Sequence, residues 1–182
     1  MKRFTLAVAL LLAASPVAAS AQTQWAGNGH YYQFVNTNVD WNGAFAAANA
    51  SSYLGMQGYL ATITSAGENA FIAALAGKGA WLGGSDDVAE GTWTWRNGPE
   101  AGQAFTYTNW EPGEPNNSGN EDYLQINWWL PGGWNDNSGP AIGYVIEYSG
   151  VSSVPEPSSY AVIAVGLVGL GFAARRRRQS AV

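Results

Sequence analysis

The sequence predicts an α+β fold, in which two helices come first and short strands then surround one long loop. Three observations support this class. Two apolar runs within residues 41–76 have helical spacing, the aromatic and β-branched runs elsewhere are short, and a stretch rich in Gly, Pro and Asn separates the later strands. We therefore expect one domain in which two helices flank small antiparallel sheets.

The first half of the chain supplies both helices. Residues 31–35 are aromatic and β-branched, which predicts a first strand, and Asn38 or Asp40 can cap the helix that follows. Residues 59–63 predict a short strand. Ser65 and Glu68 then have the spacing of a capping box at the start of a second helix. Phe71, Ile72 and Leu75 give that helix its apolar stripe, and Gly77 is expected to end it.

The second half predicts strands around the long loop. Residues 81–82 and 92–95 have strand composition, and residues 123–126 and 144–148 would close the sheet. The stretch 97–120 is rich in Gly, Pro and Asn. A loop of this length in a compact domain usually carries function or is disordered.

The first residues have the pattern of a signal peptide. Lys2 and Arg3 supply a positive start, residues 4–12 an apolar stretch, and residues 19–21 a small-residue cleavage site. We expect residues 1–21 to be removed and the protein to be exported.

The other end of the chain has three parts in a fixed order. A Pro-Glu-Pro triplet at residues 155–157 precedes an apolar, Gly-rich segment at 160–174, and four arginines follow at 175–178. A simple membrane anchor with a positive end is one interpretation. The three parts together resemble the PEP-CTERM sorting signal of bacterial exported proteins. The resemblance implies that an exosortase processes residues 154–178, after transient anchoring of the chain in the inner membrane.

Charge and cysteine content narrow the possible functions. Between the two ends lie only two basic residues, Lys78 and Arg96, against twelve acidic residues, so this part carries about ten net negative charges. Nucleic acid is therefore not an expected partner, because phosphate contacts need many cations. The chain has no cysteine, so no disulfide stabilises an exported domain. Crowded carboxylates without cations favour a bound metal ion.

Five oxygen-bearing side chains are concentrated in two short stretches that we interpret as turn-rich. They are Glu114, Asn116, Glu121, Asn135 and Asp136. Calcium takes six to eight hard oxygen ligands and tolerates an irregular shell built from loops, whereas magnesium demands a near-octahedral one. The mixture of carboxylates and neutral amides predicts a calcium site.

Several short motifs now occur in a recognisable order. They are Trp81-Leu82-Gly83-Gly84, Trp93-Thr94-Trp95, Tyr107-Thr108-Asn109-Trp110, Glu114-Pro115-Asn116 and Trp134-Asn135-Asp136. Together they resemble the C-type lectin domain, over residues 25–149. The resemblance implies the C-type lectin-like fold with a long calcium-binding loop.

The resemblance also implies two calcium sites. The principal site would consist of Glu114, Asn116, Glu121, Asn135 and Asp136. The auxiliary site would consist of Asp86, Glu90, Asn117 and Asp122, with Asn117 in place of an acid. Pro115 matches a proline that the family holds in the cis form, which turns the flanking side chains toward one ion.

Sugar binding follows from the same resemblance. Two neighbouring hydroxyls would complete the calcium shell, while Glu114 and Glu121 accept hydrogen bonds from them and Asn116 and Asn135 donate to them. In this family the Glu-Pro-Asn order accompanies mannose-type sugars with equatorial 3- and 4-hydroxyls, and Gln-Pro-Asp accompanies galactose-type sugars.

The sequence departs from the family in two places. Tyr123 and Ile146 stand where the family usually has two cysteines, and they could pack together instead. The segment 127–133 is unusually apolar for a loop because it contains Trp128, Trp129 and Leu130. If exposed, it would widen the binding surface; if buried, it belongs to the core.

Catalysis is not expected. His30 is the chain's only histidine, and we interpret it as structural, which leaves no basis for a nucleophilic triad. The carboxylates of Glu114 and Glu121 could be taken for the catalytic pair of a glycosidase, but their position in a loop favours metal binding. Two hypotheses remain: a lectin for mannose-type sugars of an exopolysaccharide or cell surface, or a structural matrix protein whose calcium only stiffens a protein-binding loop.

Overall fold

The computed structural model of the protein describes residues 21–150. The predicted signal peptide, apart from Ala21, and the predicted sorting tail lie outside the described residues. The described part contains two helices and nine strands. In chain order these are β1 (Thr23–Gln24), β2 (Tyr31–Val39), α1 (Trp41–Ala50), β3 (Ser52–Tyr53), β4 (Met56–Leu60), α2 (Ala66–Ala76), β5 (Ala80–Ser85), β6 (Thr94–Trp95), β7 (Tyr123–Ile126), β8 (Trp134–Asn137) and β9 (Ile142–Tyr148).

Strand β9 lies at the centre of the sheet and pairs with three other strands. It pairs antiparallel with β2 and β4 and parallel with β5. Strand β7 then lies antiparallel to β5, and β8 lies antiparallel to β7. The α+β class is confirmed, but the sheet is mixed because of the parallel pairing between β5 and β9, and not a set of separate antiparallel sheets.

Two apolar cores lie on opposite faces of this sheet. Side chains alternate between the faces along a strand, so Val145 of β9 enters the core beside α2, and its neighbours Tyr144 and Ile146 enter the core beside α1. Tyr123 packs against the same α1-side core as Ile146. The two residues that stand where the resemblance implies cysteines therefore contribute to one apolar cluster.

The predicted helix ends are mostly confirmed. Asp40, rather than Asn38, caps α1, and Ser65 caps α2 by accepting a hydrogen bond from the backbone N–H of Glu68 at 3.2 Å. The carboxylate of Glu68 reaches one residue further back than a capping box requires, to the N–H of Thr64 at 2.7 Å. Gly77 ends α2 with a positive φ of 63°.

Three local expectations were wrong, two in the bounds of a strand and one in the kind of element. The strand expected at residues 59–63 is Met56–Leu60, because only this segment pairs with both β3 and β9. Of residues 92–95, only Thr94–Trp95 form a strand, since the N–H of Thr92 bonds to Ala89 in a turn. Trp134–Asn137 is a strand rather than a turn-rich stretch, because it pairs with β7 along its whole length.

The long loop between β6 and β7 is confirmed, since residues 97–120 contain no strand. Its aromatic residues anchor it to the sheet. Trp93 and Trp95 are buried in the core, and Trp110 packs partly buried against the same core. The ring of Trp134 contacts Trp95 and Trp110 edge-on. This aromatic cluster places the loop against β8.

Candidate functional site

Backbone hydrogen bonds bring the Glu114 segment to the edge of β8. The N–H of Glu111 donates to Trp134 at 2.9 Å, and the N–H of Trp134 donates to Asn109 at 2.9 Å. A turn follows, in which the N–H of Glu114 bonds to the carbonyl of Glu111 at 2.9 Å. Glu114 therefore arrives beside the carboxylate of Asp136 on β8.

Asp136 fixes the backbone of the Glu-Pro-Asn motif. Its two carboxylate oxygens accept hydrogen bonds from the N–H groups of Asn116 at 3.1 Å and Asn117 at 2.6 Å. The peptide bond between Glu114 and Pro115 is cis, as the resemblance implied. Asp136 is buried, so it has a fixed position in this loop.

Glu121 closes the same loop from its other end. Its carboxylate accepts from the N–H of Ser118 at 3.2 Å, and its own N–H donates to the side chain of Asn117 at 2.7 Å. The side chain of Asn116 accepts from the N–H of Ser118 at 2.8 Å. Asn117 has a positive φ of 49°, which Asn tolerates better than most residues. Thus the side chains of Asn116, Asn117 and Glu121 line one tight turn.

The carboxylates of this loop repel one another. Burial raises the pKa of Glu114, and the neighbouring Asp136 and Glu121 raise it further. Burial and the charge of Asp136 likewise raise the pKa of Glu121. Among the described residues, Glu114 Oε2 is one of few buried side-chain oxygens with no hydrogen-bond partner. A buried, unpartnered oxygen close to two other carboxylates is suited to binding a cation.

Asn135 lies beside these groups but is turned toward its own strand. It is buried in β8, and its amide nitrogen donates to the backbone carbonyl of Asp136. The structure thus brings all five predicted residues of the principal site to one end of β8.

The predicted auxiliary residues lie next to the principal set. The N–H of Asp86 bonds to the carbonyl of Asp122 at 3.2 Å, which joins the end of β5 to the start of β7. Burial raises the pKa of Asp86, and the charge of Asp122 adds to this effect. Glu90 interacts with Asp86, Asp122 and the side chain of Asn117. Asp86 Oδ1 is a second buried oxygen without a hydrogen-bond partner in the described chain.

The donor chemistry fits calcium better than other metals. No group of three or more His, Cys, Asp or Glu side chains within residues 21–150 is arranged to hold a metal ion by itself. The loop instead offers carboxylates mixed with Asn amides and a backbone carbonyl, which are all hard oxygen donors. Two carboxylate oxygens of the described residues are buried without a hydrogen-bond partner, on Glu114 and Asp86, and they belong one to each predicted set.

Sequence reasoning missed a carboxylate that connects two loops. Glu111 is buried, and its Oε1 accepts from the N–H groups of Trp129 and Leu130 at 2.8 Å each. Its only local signal was a polar residue inside an aromatic-rich segment, three residues before Glu114. The turn that it holds is exposed, so Trp128, Trp129 and Leu130 do not belong to the core.

His30 is structural, as expected. Its Nδ1 lies 2.6 Å from the buried carboxylate of Glu147, and this contact raises the pKa of the imidazole. Tyr32 donates a hydrogen bond to Glu68 at 2.6 Å and lies 3.3 Å from Glu147, so the same network ties β2 to α2 and β9. This network is distinct from the Glu114 loop.

No helix within residues 21–150 is long and apolar enough to cross a membrane. The PEP-CTERM protein-sorting motif matches residues 153–178, so the sequence carries this C-terminal sorting signal.

Two proteins illustrate the sequence similarity. The chain is 39% identical over 136 residues to halomucin of Haloquadratum walsbyi, a match that covers 69% of this chain and 2% of halomucin. It is 34% identical over 112 residues to C-type lectin domain family 4 member M of Gorilla gorilla gorilla, which covers 60% of this chain and 27% of that protein. The chain therefore spans about a quarter or less of the length of these relatives.

Solved structures share the fold. The C-type lectin CEL-I from Cucumaria echinata is 28% identical, with a TM-score of 0.59 over 74% of this chain and 97% of CEL-I. The cow C-type carbohydrate-recognition domain of CD23, crystallised in the presence of GlcNAc2Man3 oligosaccharide, is 28% identical, with a TM-score of 0.54 over 74% of this chain and 95% of that domain. The family model of the lectin C-type domain matches residues 38–140, and the chain belongs to this family.

Proposed function

We propose that this protein is an exported, calcium-dependent lectin that binds mannose-type sugars with equatorial 3- and 4-hydroxyls. Membership of the C-type lectin family supports a carbohydrate-binding role, and the family and fold are generally those of non-enzymatic binding proteins. The observation that carries the calcium proposal is the crowding of Glu114, Glu121 and Asp136 around a buried, unpartnered carboxylate oxygen.

The principal calcium site would use the carboxylates and amides at the end of β8. Its ligands are Glu114, Asn116, Glu121, Asn135 and Asp136, and the auxiliary set is Asp86, Glu90, Asn117 and Asp122. When bound, calcium supplies coordination positions for two neighbouring sugar hydroxyls and neutralises the crowded carboxylates. Asp136 positions the motif by holding the backbone of Asn116 and Asn117.

Four side chains would form hydrogen bonds with the sugar. Glu114 and Glu121 carry acceptor oxygens, and Asn116 and Asn135 carry donor nitrogens, so each hydroxyl can both donate and accept. An acceptor before Pro115 and a donor after it match hydroxyls in the mannose arrangement, as the Glu-Pro-Asn order implies. The oligosaccharide present with the cow CD23 domain contains mannose, which supports this class of ligand.

The sorting motif supports an extracellular setting. A PEP-CTERM motif implies a secreted protein, and an exosortase-like enzyme would process the tail. Before processing, the apolar segment at 160–174 would hold the chain in the inner membrane. The partner glycan would then belong to an exopolysaccharide or a cell surface.

The alternative is a structural matrix protein whose calcium only stiffens a protein-binding loop. A glycan array probed with and without a chelator separates the two functions. We expect binding to mannose-type glycans that disappears with the chelator, and a calcium-loaded protein without signal on any sugar would contradict the lectin proposal.

A paired substitution tests the sugar specificity. Glu114→Gln with Asn116→Asp exchanges the acceptor and the donor on either side of Pro115, and binding should shift from mannose-type toward galactose-type glycans. Glu100→Gln with Asn36→Asp is a matched control, because it makes the same two exchanges, again with no change of net charge, at residues outside both predicted calcium sites. A double variant that only loses calcium affinity, with no new sugar preference, would indicate a structural site.

A further inference from the structure

The turn between β7 and β8 holds three large apolar side chains in solvent. Trp128, Trp129 and Leu130 are 46%, 79% and 55% exposed. The two indole rings stack side by side, with centroids 6.4 Å apart and planes at 17°. We call residues 127–133 the indole turn. A cluster of exposed apolar groups on a soluble domain marks a binding surface.

Polar side chains, of which Glu111 and Asn69 are buried, hold the indole turn in one shape. Glu111 accepts from two of its N–H groups, and the side chains of Asn69 and Asn109 donate to the carbonyl of Gly132 at 3.0 and 2.7 Å. Asn127 donates to Ala73 at 3.0 Å and accepts from the N–H of Gly132 at 2.6 Å. Polar groups thus brace the exposed indoles from beneath, which lowers the entropic cost of binding to them.

A groove lies on each side of the turn. The larger, of about 540 Å³, runs between Trp129 and the alanine-rich surface of α2, including Ala70 and Ala74. The smaller, of about 270 Å³, lies beside Trp128. Lys78 lines both. Asn69 and Asn127 are used to brace the turn, whereas Asn38 and Gln125 line the smaller groove without contacting residues 128–132 through a hydrogen bond. The grooves therefore offer apolar surface, amide groups and one ammonium group.

Lys78 is distinctive in this acidic domain. Lys78 and Arg96 are the two basic residues in the described range 21–150. Arg96 pairs with Asp87 at 3.0 Å, whereas Lys78 makes no ion pair with any described residue. Its ammonium group lies 5.8 Å from the centre of the Phe34 ring. The positive charge is therefore available at the junction of the two grooves.

We propose that the indole turn and its grooves form a second carbohydrate subsite, which binds pyranose rings of an extended glycan chain. The C–H face of a pyranose ring is flat and apolar and matches an indole face, while oxygens on the ring edge accept hydrogen bonds from Lys78. An anionic membrane is a poor match, because one cation in a domain with about ten net negative charges gives no attraction to such a surface.

The indole turn is linked to the Glu114 loop by one hairpin, which favours a single ligand that contacts both. The hairpin of β7 and β8 runs from the pair Tyr123 and Asn137, beside the calcium loop, to the pair Ile126 and Trp134, beside the indole turn. Three residue steps along a strand span roughly 10 Å. A chain of a few sugars is long enough to reach from one end to the other. The inference therefore rests on the proposed lectin function and extends it to longer glycans.

Titration calorimetry in millimolar calcium tests the subsite. The probes are methyl α-mannoside, which reaches only the calcium loop, and mannopentaose. The double variant Trp128→Ala with Trp129→Ala should lose about tenfold in affinity for mannopentaose and keep its affinity for methyl α-mannoside. Leu54→Ala removes an exposed apolar side chain elsewhere and should change neither affinity. Trp129→Phe, which keeps a flat ring, should retain most of the mannopentaose affinity.

The outcomes separate the two proposals. If the double variant binds mannopentaose as tightly as the wild type, the subsite is overturned and the calcium-dependent lectin function stands. If the wild-type domain binds neither probe, both are overturned. If the Trp128→Ala, Trp129→Ala variant keeps both sugar affinities but sediments as a smaller species than the wild type, the indole turn joins two copies of the chain. The glycan subsite is again overturned.

Discussion

Replacing Glu111 with alanine should loosen the indole turn without unfolding the domain. One carboxylate oxygen accepts the N–H groups of Trp129 and Leu130, at 2.8 Å each. The stem of the same side chain packs against Gly133, where an added Cβ would lie 2.5 Å from Glu111 Cγ. Alanine would therefore remove both hydrogen bonds and leave a small gap under the turn.

The magnitude follows from the two bonds. A hydrogen bond to a charged acceptor contributes about 1.5–3 kcal/mol when its loss leaves a buried partner unsatisfied. Trp129 and Leu130 are more than half exposed, so water can reach their N–H groups once the turn opens. We therefore expect the lower end of the range for each bond, a total loss of about 3 kcal/mol. Glu111→Gln keeps an oxygen acceptor and should cost about 1 kcal/mol.

Urea unfolding and amide hydrogen exchange measure the two consequences separately. Glu111→Ala should lower the free energy of unfolding by the stated amount and speed the exchange of the amides of Trp129 and Leu130. The amides of β9 serve as internal controls, because they exchange only through global unfolding. An unchanged urea midpoint, with both turn amides still protected, would refute the assigned role of Glu111.

Two further substitutions have defined outcomes. Glu147 raises the pKa of His30 by hydrogen bonding, and burial of the imidazole opposes this. Because the pKa of His30 in the folded protein lies above the ordinary histidine value of 6.5, the stabilisation is complete below pH 6.5 and is lost as pH rises through the folded pKa. In urea unfolding with a chelator present, the free energy of unfolding should therefore decline between about pH 6 and 9 for the wild type but not for His30→Gln. An equal dependence of this free energy on pH in both proteins would count against the ion pair. Gly84→Ala would place a Cβ 2.4 Å from the Phe105 ring, and thermal unfolding should show a loss of about 1–3 kcal/mol; a wild-type melting curve would contradict this.

Local signals in the sequence were enough to predict the helices. Asp40, Ser65 and Gly77 act through hydrogen bonds and backbone angles within a few residues, so their roles follow from neighbouring sequence. Trp93 and Trp95 belong to one of the motifs on which the family resemblance rests, and both are buried in the core.

Long-range pairing could not be read from composition. The segment Trp134–Asn137 is rich in Asn and Asp, which favour turns, yet it forms β8 because β7 supplies a complete set of backbone partners. The parallel pairing of β5 with β9 joins segments that are about sixty residues apart in the chain, so no local pattern indicates it.

The candidate site was accessible to sequence reasoning to different degrees. Its ligand types were visible because hard oxygen donors and a Glu-Pro-Asn motif stand close together in the chain. The buried, unpartnered oxygens of Glu114 and Asp86 and the bracing by Glu111 were not visible, because they depend on how separate loops pack. The exposure of the indole turn was left open by the sequence and required the structure.

Calcium titration of thermal stability tests the central claim most directly. With calcium at about 100 times its dissociation constant, binding to the native loop should stabilise the domain by about 2.7 kcal/mol, which corresponds to a rise in melting temperature of about 10 °C. Glu114→Gln should reduce this rise strongly, whereas Glu100→Gln should leave it intact. A wild-type melting temperature that does not change at millimolar calcium would contradict a calcium site at the Glu114 loop.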